Sequence, residues 1–150
     1  MERVRILVVD DHELVRRNIC RFLNEQSDFE VVCEASTGLE AIRQAEQHHP
    51  DIILMDISLP ELNGLAALPT IRKVAPAAKI IMVTNHDSTV FVRDAFAAGA
   101  VGFVTKSDLS PQLVTAMREA RENRRFVSRS VKSTPEILLA RKSPTSDVDA

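Results

Sequence analysis

The chain has 150 residues, of which 45% are hydrophobic and 27% charged, and its formal net charge is −2. This composition is typical of one globular domain with an extension, and the small charge predicts no general attraction to nucleic acid or anionic membranes. No apolar stretch approaches the ~20 residues of a membrane span, and the N-terminus lacks a signal-peptide pattern. Cys20 and Cys33 have no metal-ligand spacing and are interpreted as reduced packing residues. We therefore expect a cytoplasmic protein without a membrane partner.

Strand and helix patterns alternate from the start of the chain. The apolar run Val4–Val9 predicts a strand buried on both faces. An apolar stripe then predicts a helix over about His12–Gln26, whose first residue we interpret as solvated. Phe29–Ala35 predicts the second strand. Thr37 and Glu40 form a capping-box pattern that opens the second helix.

The alternation continues in the second half of the chain. The strands predicted there are Ile52–Met55, Lys79–Val83 and Val101–Val104. A helix over about Leu65–Val74 is expected to tolerate Pro69 only if that residue lies in its first turn, because proline lacks an N–H and clashes with the preceding turn. Asp87 or Ser88 is the predicted cap of the fourth helix, and Gly99 is its predicted end.

The fifth helix completes the pattern. Ser110 and Pro111 predict its N-cap and its first residue, and the inner face carries Leu113, Met117 and Ala120. Five strand–helix units with short connections predict an α/β fold of the flavodoxin-like (βα)5 type, a doubly wound parallel sheet with strand order 2-1-3-4-5. Ligands bind such sheets beyond the carboxyl ends of the strands, at the point where the strand order reverses.

Acidic side chains follow two of the predicted strands. Asp10 and Asp11 come directly after the first strand, and Asp56 comes directly after the third. Two unit charges ~4 Å apart repel by about 4 kcal/mol at an effective dielectric of ~20, so this cluster indicates a divalent cation. Thr84 ends the fourth strand and Lys106 lies just beyond the fifth. We expect all five polar groups to converge on one edge of the sheet.

This constellation resembles the receiver domain of bacterial two-component response regulators, over about residues 4–123. The residues that carry the resemblance are Asp10, Asp11, Asp56, Thr84 and Lys106, with Phe103 three places before the lysine. The loop from Asp56 to Gly64 resembles the family's loop after its phosphorylated aspartate. The stretches Thr84–His86 and Gly102–Lys106 are similar to the NarL/FixJ-like branch.

The resemblance implies a phosphorylation chemistry. Asp56 would be the phosphoacceptor, receiving a phosphoryl group from a sensor histidine kinase or a phosphotransfer protein. The implied cofactor is Mg²⁺, held by Asp10, Asp11, Asp56 and the backbone carbonyl of Ser58. Lys106 would pair with a phosphoryl oxygen. The protein would be regulatory rather than an enzyme, catalysing only its own phosphoryl transfer and autodephosphorylation.

The resemblance also implies a switch. Thr84 would hydrogen-bond the phosphoryl group and leave space that Phe103 enters. This movement would change the face formed by the fourth helix, fifth strand and fifth helix, and so alter output or partner binding. Phe103 is equally well interpreted as an ordinary core residue. Formation of a homodimer is a further implication of the family.

The end of the chain departs from the NarL/FixJ-like pattern. We expect a receiver domain at residues 1–126 and a linker-like or disordered tail at 127–150, in which Glu136–Ala140 is long enough for only one or two helical turns. Such a tail should not bind DNA specifically, although a longer parent chain could carry a helix-turn-helix domain. Lys106 is followed by Ser107 rather than by proline, so we expect a trans peptide, because a cis bond there costs ~2.5–4 kcal/mol.

Three other functions are alternatives to a phosphorylation switch. A haloacid-dehalogenase-type hydrolase needs a second aspartate two residues after its nucleophile, and neither Asp56 nor Asp10 has one. A flavodoxin needs a Ser/Thr/Gly-rich phosphate loop after the first strand, where this chain has Asp10, Asp11 and His12. An unphosphorylated receiver-like docking or dimerisation module remains the alternative, because possession of a site does not prove its use.

Overall fold

The computed structural model describes residues 2–85, 89–129 and 131. The strands are β1 Val4–Val9, β2 Phe29–Ala35, β3 Ile52–Met55, β4 Lys79–Thr84, β5 Gly102–Thr105 and β6 Phe126–Val127. The helices are α1 Glu13–Asn24, α2 Gly38–His48, α3 Gly64–Val74, α4 Thr89–Ala97 and α5 Leu109–Arg121, and a 3₁₀ turn covers Lys106–Asp108. Among the described residues, no helix combines the length and the hydrophobicity of a membrane-spanning segment.

The strands form a parallel sheet in the order β2-β1-β3-β4-β5-β6. This order confirms the predicted flavodoxin-like class and the predicted order of the first five strands. The sixth strand was not predicted, because a two-residue strand is too short to show an alternating pattern. By its internal contacts the chain divides into two compact units, with the division after Ala78.

In the first unit, β1 lies between β2 and β3. Ile6 to Val9 pair in register with Ile52 to Met55, and all eight side chains are at most 2% exposed. The pairing with β2 shifts between Ile6 and Leu7, where β2 has one extra residue and forms a bulge. The apolar β1 and β3 sequences thus form a core that is buried on both faces, as predicted from their lack of alternation.

The N-terminus of α2 is capped largely as its sequence predicts. The Thr37 hydroxyl accepts the backbone N–H of Glu40 at 3.0 Å. The Glu40 carboxylate accepts the N–H of Ser36 at 2.6 Å, one residue before the N-cap. Both bonds satisfy backbone donors that would have no partner within the helix.

The position of Pro69 in α3 differs from the sequence prediction. Pro69 is the sixth residue of an uninterrupted helix and lies beyond the first turn. Proline has no N–H to donate to the carbonyl of Leu65, four residues earlier. Because Pro69 is exposed, this carbonyl lies on the solvent side of the helix. The opposite face buries Leu68 and Ile71 completely. Burial of that face offsets the ~3 kcal/mol that proline costs inside a helix.

In the second unit, β5 pairs in parallel with both β4 and β6. The predicted end of α4 is confirmed: Gly99 has a φ of 109°, its N–H donates to Phe96 O, and the N–H of Ala100 donates to Ala95 O. These two bonds form a Schellman motif, which requires a left-handed residue at the position of Gly99. The predicted caps Asp87 and Ser88 lie outside the described residues.

The start of α5 also corrects the sequence expectation. The helix begins at Leu109 after an N-cap at Asp108, so Ser110 and Pro111 are its second and third residues. Proline is tolerated there because the first four N–H groups of a helix have no intrahelical partner. Leu113, Met117 and Ala120 are buried as predicted. The predicted turns at Glu136–Ala140 lie outside the described residues.

The peptide between Lys106 and Ser107 is trans, as every described peptide bond is. Ordered structure also continues past residue 126, because β6 is followed by Ser128 and Val131, which are 0% and 2% exposed. The boundary between domain and tail stays a prediction.

Candidate functional site

Three aspartates and a histidine lie together where β1 and β3 end. Asp10, Asp11, His12 and Asp56 each offer one ligand atom, and these atoms all lie within 4.8 Å of one another. The adjacency follows from the strand register: Val9 is paired with Met55, and the Asp56 N–H donates to the Val9 carbonyl at 3.1 Å. Asp10 and Asp56 are each 2% exposed, whereas Asp11 and His12 are exposed.

Asp10 is held by bonds from its own loop. Its carboxylate accepts the backbone N–H of His12 at 2.8 Å, and Nδ1 of His12 lies 3.1 Å from the same oxygen and 3.4 Å from Oδ1 of Asp11. His12 is the N-cap residue of α1 and makes no side-chain cap. Its place in the cluster was not predicted, although its position directly after two aspartates at a strand end was the available signal.

A second layer of side chains holds the backbone of Asp10. Nη1 of Arg16 donates to the Asp10 carbonyl at 2.8 Å, and Nε of Arg16 donates to the Glu34 carboxylate at 2.9 Å. A polar cavity of about 170 Å³ adjoins this pair and is lined by Arg16, Glu34, Ala35, Ser36 and Glu40. Sequence reasoning did not find the Arg16–Glu34 pair, because its members are 18 positions apart on α1 and β2.

The loop after β3 orients Asp56. Its Oδ1 accepts the N–H of Ser58 at 3.0 Å, and the Ile57 carbonyl accepts N–H groups from both Leu59 and Gly64. Ile57 and Leu59 are buried, which anchors the loop between α3 and the strand. The side-chain bond to Ser58 fixes the rotation of the carboxylate.

The donor set fits a hard divalent cation. The cluster offers carboxylate oxygens from Asp10, Asp11 and Asp56, which are the ligands that Mg²⁺ prefers. Two of these carboxylates are buried, and like charges at this spacing repel unless a cation offsets them. An imidazole nitrogen is a poor Mg²⁺ ligand, so we assign His12 to hydrogen bonding.

The other predicted site residues lie in the second unit. Thr84 is the last residue of β4, is fully buried and is paired with Thr105 of β5. Lys106 follows directly, at the start of the 3₁₀ turn, and is half-buried. Phe103 is fully buried and is paired with Met82. The structure therefore brings Thr84 and Lys106 to neighbouring strand ends, and their approach to the three aspartates stays a prediction.

The comparison with protein families identifies the chain. Residues 6–118 match the response regulator receiver domain. The chain belongs to this family. Receiver domains are regulatory domains of two-component signalling that bind Mg²⁺ at acidic residues and interact with histidine kinases and phosphotransfer proteins.

Individual relatives support the predicted branch. The chain is 36% identical to the uncharacterised transcriptional regulatory protein YxjL of Bacillus subtilis over 79% of this chain and 55% of that protein. It is 35% identical to the response regulator GacA of Pseudomonas viridiflava over 83% of this chain and 58% of that protein. The chain thus spans little more than half the length of these relatives.

Solved structures agree with the fold and the branch. A two-component response regulator of the LuxR family from Aurantimonas sp. SI85-9A1 superposes with a TM-score of 0.80 at 36% identity, covering 93% of this chain and 96% of that one. The receiver domain of the response regulator NarL from Mycobacterium tuberculosis superposes with a TM-score of 0.78 at 30% identity, covering 83% and 100%. The prediction of a NarL/FixJ-like receiver is confirmed.

Proposed function

We propose that the chain is a phosphorylation-controlled switch in which Asp56 accepts a phosphoryl group from a sensor histidine kinase or a phosphotransfer protein. The observation that carries this proposal is the acidic cluster: in a chain of the receiver family, the buried Asp56 carboxylate lies within 4.8 Å of ligand atoms of Asp10 and Asp11. Such a cluster combines a nucleophile with the ligands of a divalent cation.

The chain's own residues prepare the transfer. The Ser58 N–H holds one oxygen of Asp56, so the carboxylate is presented in one orientation. A carboxylate oxygen of Asp56 forms a bond to phosphorus while the bond from phosphorus to the donor's histidine nitrogen breaks. Asp10, Asp11, Asp56 and the carbonyl of Ser58 would hold Mg²⁺. When bound, this ion screens the repulsion between nucleophile and phosphoryl oxygens.

Thr84 and Lys106 complete the proposed mechanism. Lys106 provides a compact positive charge for one phosphoryl oxygen, and the Thr84 hydroxyl donates to another. A shift from 1:99 to 99:1 between two conformations requires about 5.5 kcal/mol. Two or three charge-assisted hydrogen bonds of ~1.5–3 kcal/mol each contribute ~3–9 kcal/mol, a range that includes this amount. The Thr84 displacement would let Phe103 move and change the face formed by α4, β5 and α5.

The proposed outputs follow from this face. Phosphorylation alters binding of a partner or formation of a homodimer through α4, β5 and α5. The domain would span residues 1–126 with a tail at 127–150. Residues 1–150 do not bind DNA specifically. In a longer parent chain, DNA binding would belong to a separate helix-turn-helix output domain.

Phosphoryl transfer is tested by incubating the chain with acetyl phosphate and Mg²⁺ and measuring its intact mass. We expect a gain of one phosphoryl group that is absent in Asp56→Asn, the isosteric control, and absent when EDTA removes the metal. A chain that gains no phosphoryl group from acetyl phosphate or from any histidine kinase would instead be an unphosphorylated docking module.

A further inference from the structure

The segment after α5 returns to β5 and ends beside the site residues of the second unit. Phe126 and Val127 form β6, parallel to β5. Ser128 follows and is fully buried. Its N–H donates to the Phe103 carbonyl at 2.9 Å, and its hydroxyl accepts the Thr105 N–H at 3.0 Å. A residue of the predicted tail therefore bonds to β5 on both sides of Val104.

The second of these bonds replaces a backbone bond of the ladder. In a regular parallel pair, the Thr105 N–H would donate to the main-chain carbonyl of Ser128. That carbonyl accepts the N–H of Val131 at 3.2 Å, because the chain turns away after Ser128. The side-chain hydroxyl takes its place. The buried Thr105 N–H thus depends on the hydroxyl of Ser128 for its acceptor.

The Thr105 side chain extends this network around Lys106. Its hydroxyl lies 3.1 Å from Oγ of Ser107, 3.1 Å from Oδ2 of Asp108 and 3.4 Å from Oγ of Ser128. Lys106 stands between Thr105 and Ser107 in the chain. The residue before the lysine and the two after it are therefore held in one hydroxyl and carboxylate network.

The segment is also held from its other side. The N–H of Arg129 donates to the side-chain oxygen of Gln112 on α5 at 2.9 Å, and Gln112 is itself buried. Val131 is buried as well. Ser128 is thus held between β5 and α5 by contacts on both flanks.

We infer that Ser128 is a positioning residue for Lys106, and that the chain just after β6 holds this lysine in place. This inference rests on the proposed function, in which Lys106 pairs with a phosphoryl oxygen. The Ser128 hydroxyl holds Thr105 in position. Thr105 in turn holds the 3₁₀ turn that contains Lys106. A misplacement of ~1 Å in such a group can slow a reaction by up to ~100-fold.

The test compares three variants of the full chain: Ser128→Ala, Ser128→Thr and Val131→Ala. The rate constant for phosphorylation by acetyl phosphate is measured by intact mass, and Mg²⁺ affinity is measured by calorimetry. We expect Ser128→Ala to be phosphorylated about tenfold more slowly with unchanged Mg²⁺ affinity, because the metal ligands lie in the first unit. Ser128→Thr keeps the acceptor and should restore the rate to within about twofold of the unchanged chain.

Val131→Ala is the matched control, since it removes buried apolar contact from the same segment and leaves the hydroxyl network in place. Its phosphorylation rate should equal that of the unchanged chain under conditions where both are folded. Amide hydrogen exchange gives a separate readout: the Thr105 amide should exchange at least about tenfold faster in Ser128→Ala and not in Val131→Ala. If Ser128→Ala does not fold, Ser128→Cys, which has a similar volume and a weak acceptor, takes its place.

A normal phosphorylation rate in folded Ser128→Ala overturns the inference and leaves the proposed function standing. An equal loss of rate in Val131→Ala overturns it too, because the effect would then be one of packing. Absence of phosphorylation in the unchanged chain overturns both the proposed function and the role of Ser128.

Discussion

Gly64 lies directly against the backbone carbonyl of Asp56, so that a Cβ on this glycine would be 2.1 Å from the carbonyl oxygen. We expect Gly64→Ala to displace either α3 or the Asp56 loop. The free energy of unfolding should fall by about 3 kcal/mol, the upper range for overpacking, because the opposing atoms are main chain. Urea denaturation measures this loss, and calorimetry should show weaker Mg²⁺ binding in the folded fraction.

Gly102→Ala is the matched control for Gly64→Ala. A Cβ there would lie 3.1 Å from Cγ1 of Ile81, a side-chain atom that has to shift by only a small distance. We expect this variant to lose about 1 kcal/mol, the lower end of the range for overpacking. Wild-type stability and Mg²⁺ affinity in Gly64→Ala would show that the loop has more room than its geometry indicates.

Pro69→Ala should stabilise the protein. Alanine restores an N–H for the Leu65 carbonyl and removes a cost of ~3 kcal/mol in the helix interior. About 1 kcal/mol is lost because the unfolded chain becomes more flexible, so the net gain should be ~2 kcal/mol. The comparison is Thr70→Ala at the next exposed position, where only helix propensity changes and the gain should stay below ~0.7 kcal/mol. A lower urea midpoint for Pro69→Ala would contradict the prediction.

Arg16 should contribute to metal affinity without contacting the metal. Its guanidinium holds the carbonyl of Asp10 and is held in turn by Glu34. Because groups behind a metal ligand orient it, Arg16→Ala should raise the Mg²⁺ dissociation constant about tenfold. Arg17→Ala is the control, since Arg17 is exposed and pairs only with Glu13 among the described ion pairs. The Mg²⁺ dissociation constants are measured by calorimetric titration. Equal values for Arg16→Ala and Arg17→Ala would show that Arg16 does not contribute to metal binding.

The thiol of Cys20 should remain protonated well above neutral pH. Burial, followed by the nearby negative charge of Glu34, raises its pKa to about 12. In the unfolded chain a thiol ionises near pH ~8.5. Between these values the native state holds a proton that the unfolded state has lost, so stability falls as pH rises through this window. The decline should be shallower in Cys20→Ala, which is measured by urea denaturation between pH 7 and 10.

Cys33→Ala is the partner control for Cys20→Ala. Burial also raises the pKa of the Cys33 thiol, but that residue is only half-buried. Alkylation of the folded chain by iodoacetamide should therefore modify Cys33 before Cys20, because the thiolate is the reactive form. The same pH dependence of stability in the unchanged chain, Cys20→Ala and Cys33→Ala would contradict the raised pKa of the Cys20 thiol.

The strands were predicted best where apolar runs have clear limits. β1, β2 and β3 begin and end at the predicted residues, because turn-forming and charged residues bound each run. The helix starts were harder, since local rules compete with packing. Pro69 and Pro111 both sit deeper in their helices than the proline rule suggests, and β6 depends on a tertiary partner that no local pattern reveals.

In the candidate site, too, some features could be predicted from the sequence and others could not. The closeness of Asp10 and Asp56 could be predicted, because parallel neighbouring strands deliver their next residues to one edge. The roles of Arg16 and Ser128 could not. Arg16 bonds the main-chain carbonyl of Asp10 from the next helix, and Ser128 bonds the main-chain N–H of Thr105, which lies 23 residues earlier. The side-chain type alone does not indicate such a partner.

The central place of β1 between β2 and β3 has a consequence for how the protein is made. This strand emerges from the ribosome before either partner, and the residues of β3 that pair with it lie roughly 45 positions later in the chain. Synthesis proceeds at ~5–20 residues per second, so an apolar segment waits roughly 2–9 s for its second neighbour. A nascent-chain chaperone would find Ile6 to Val9 uncovered during that interval, and synonymous codons that slow translation before Ile52 should prolong it.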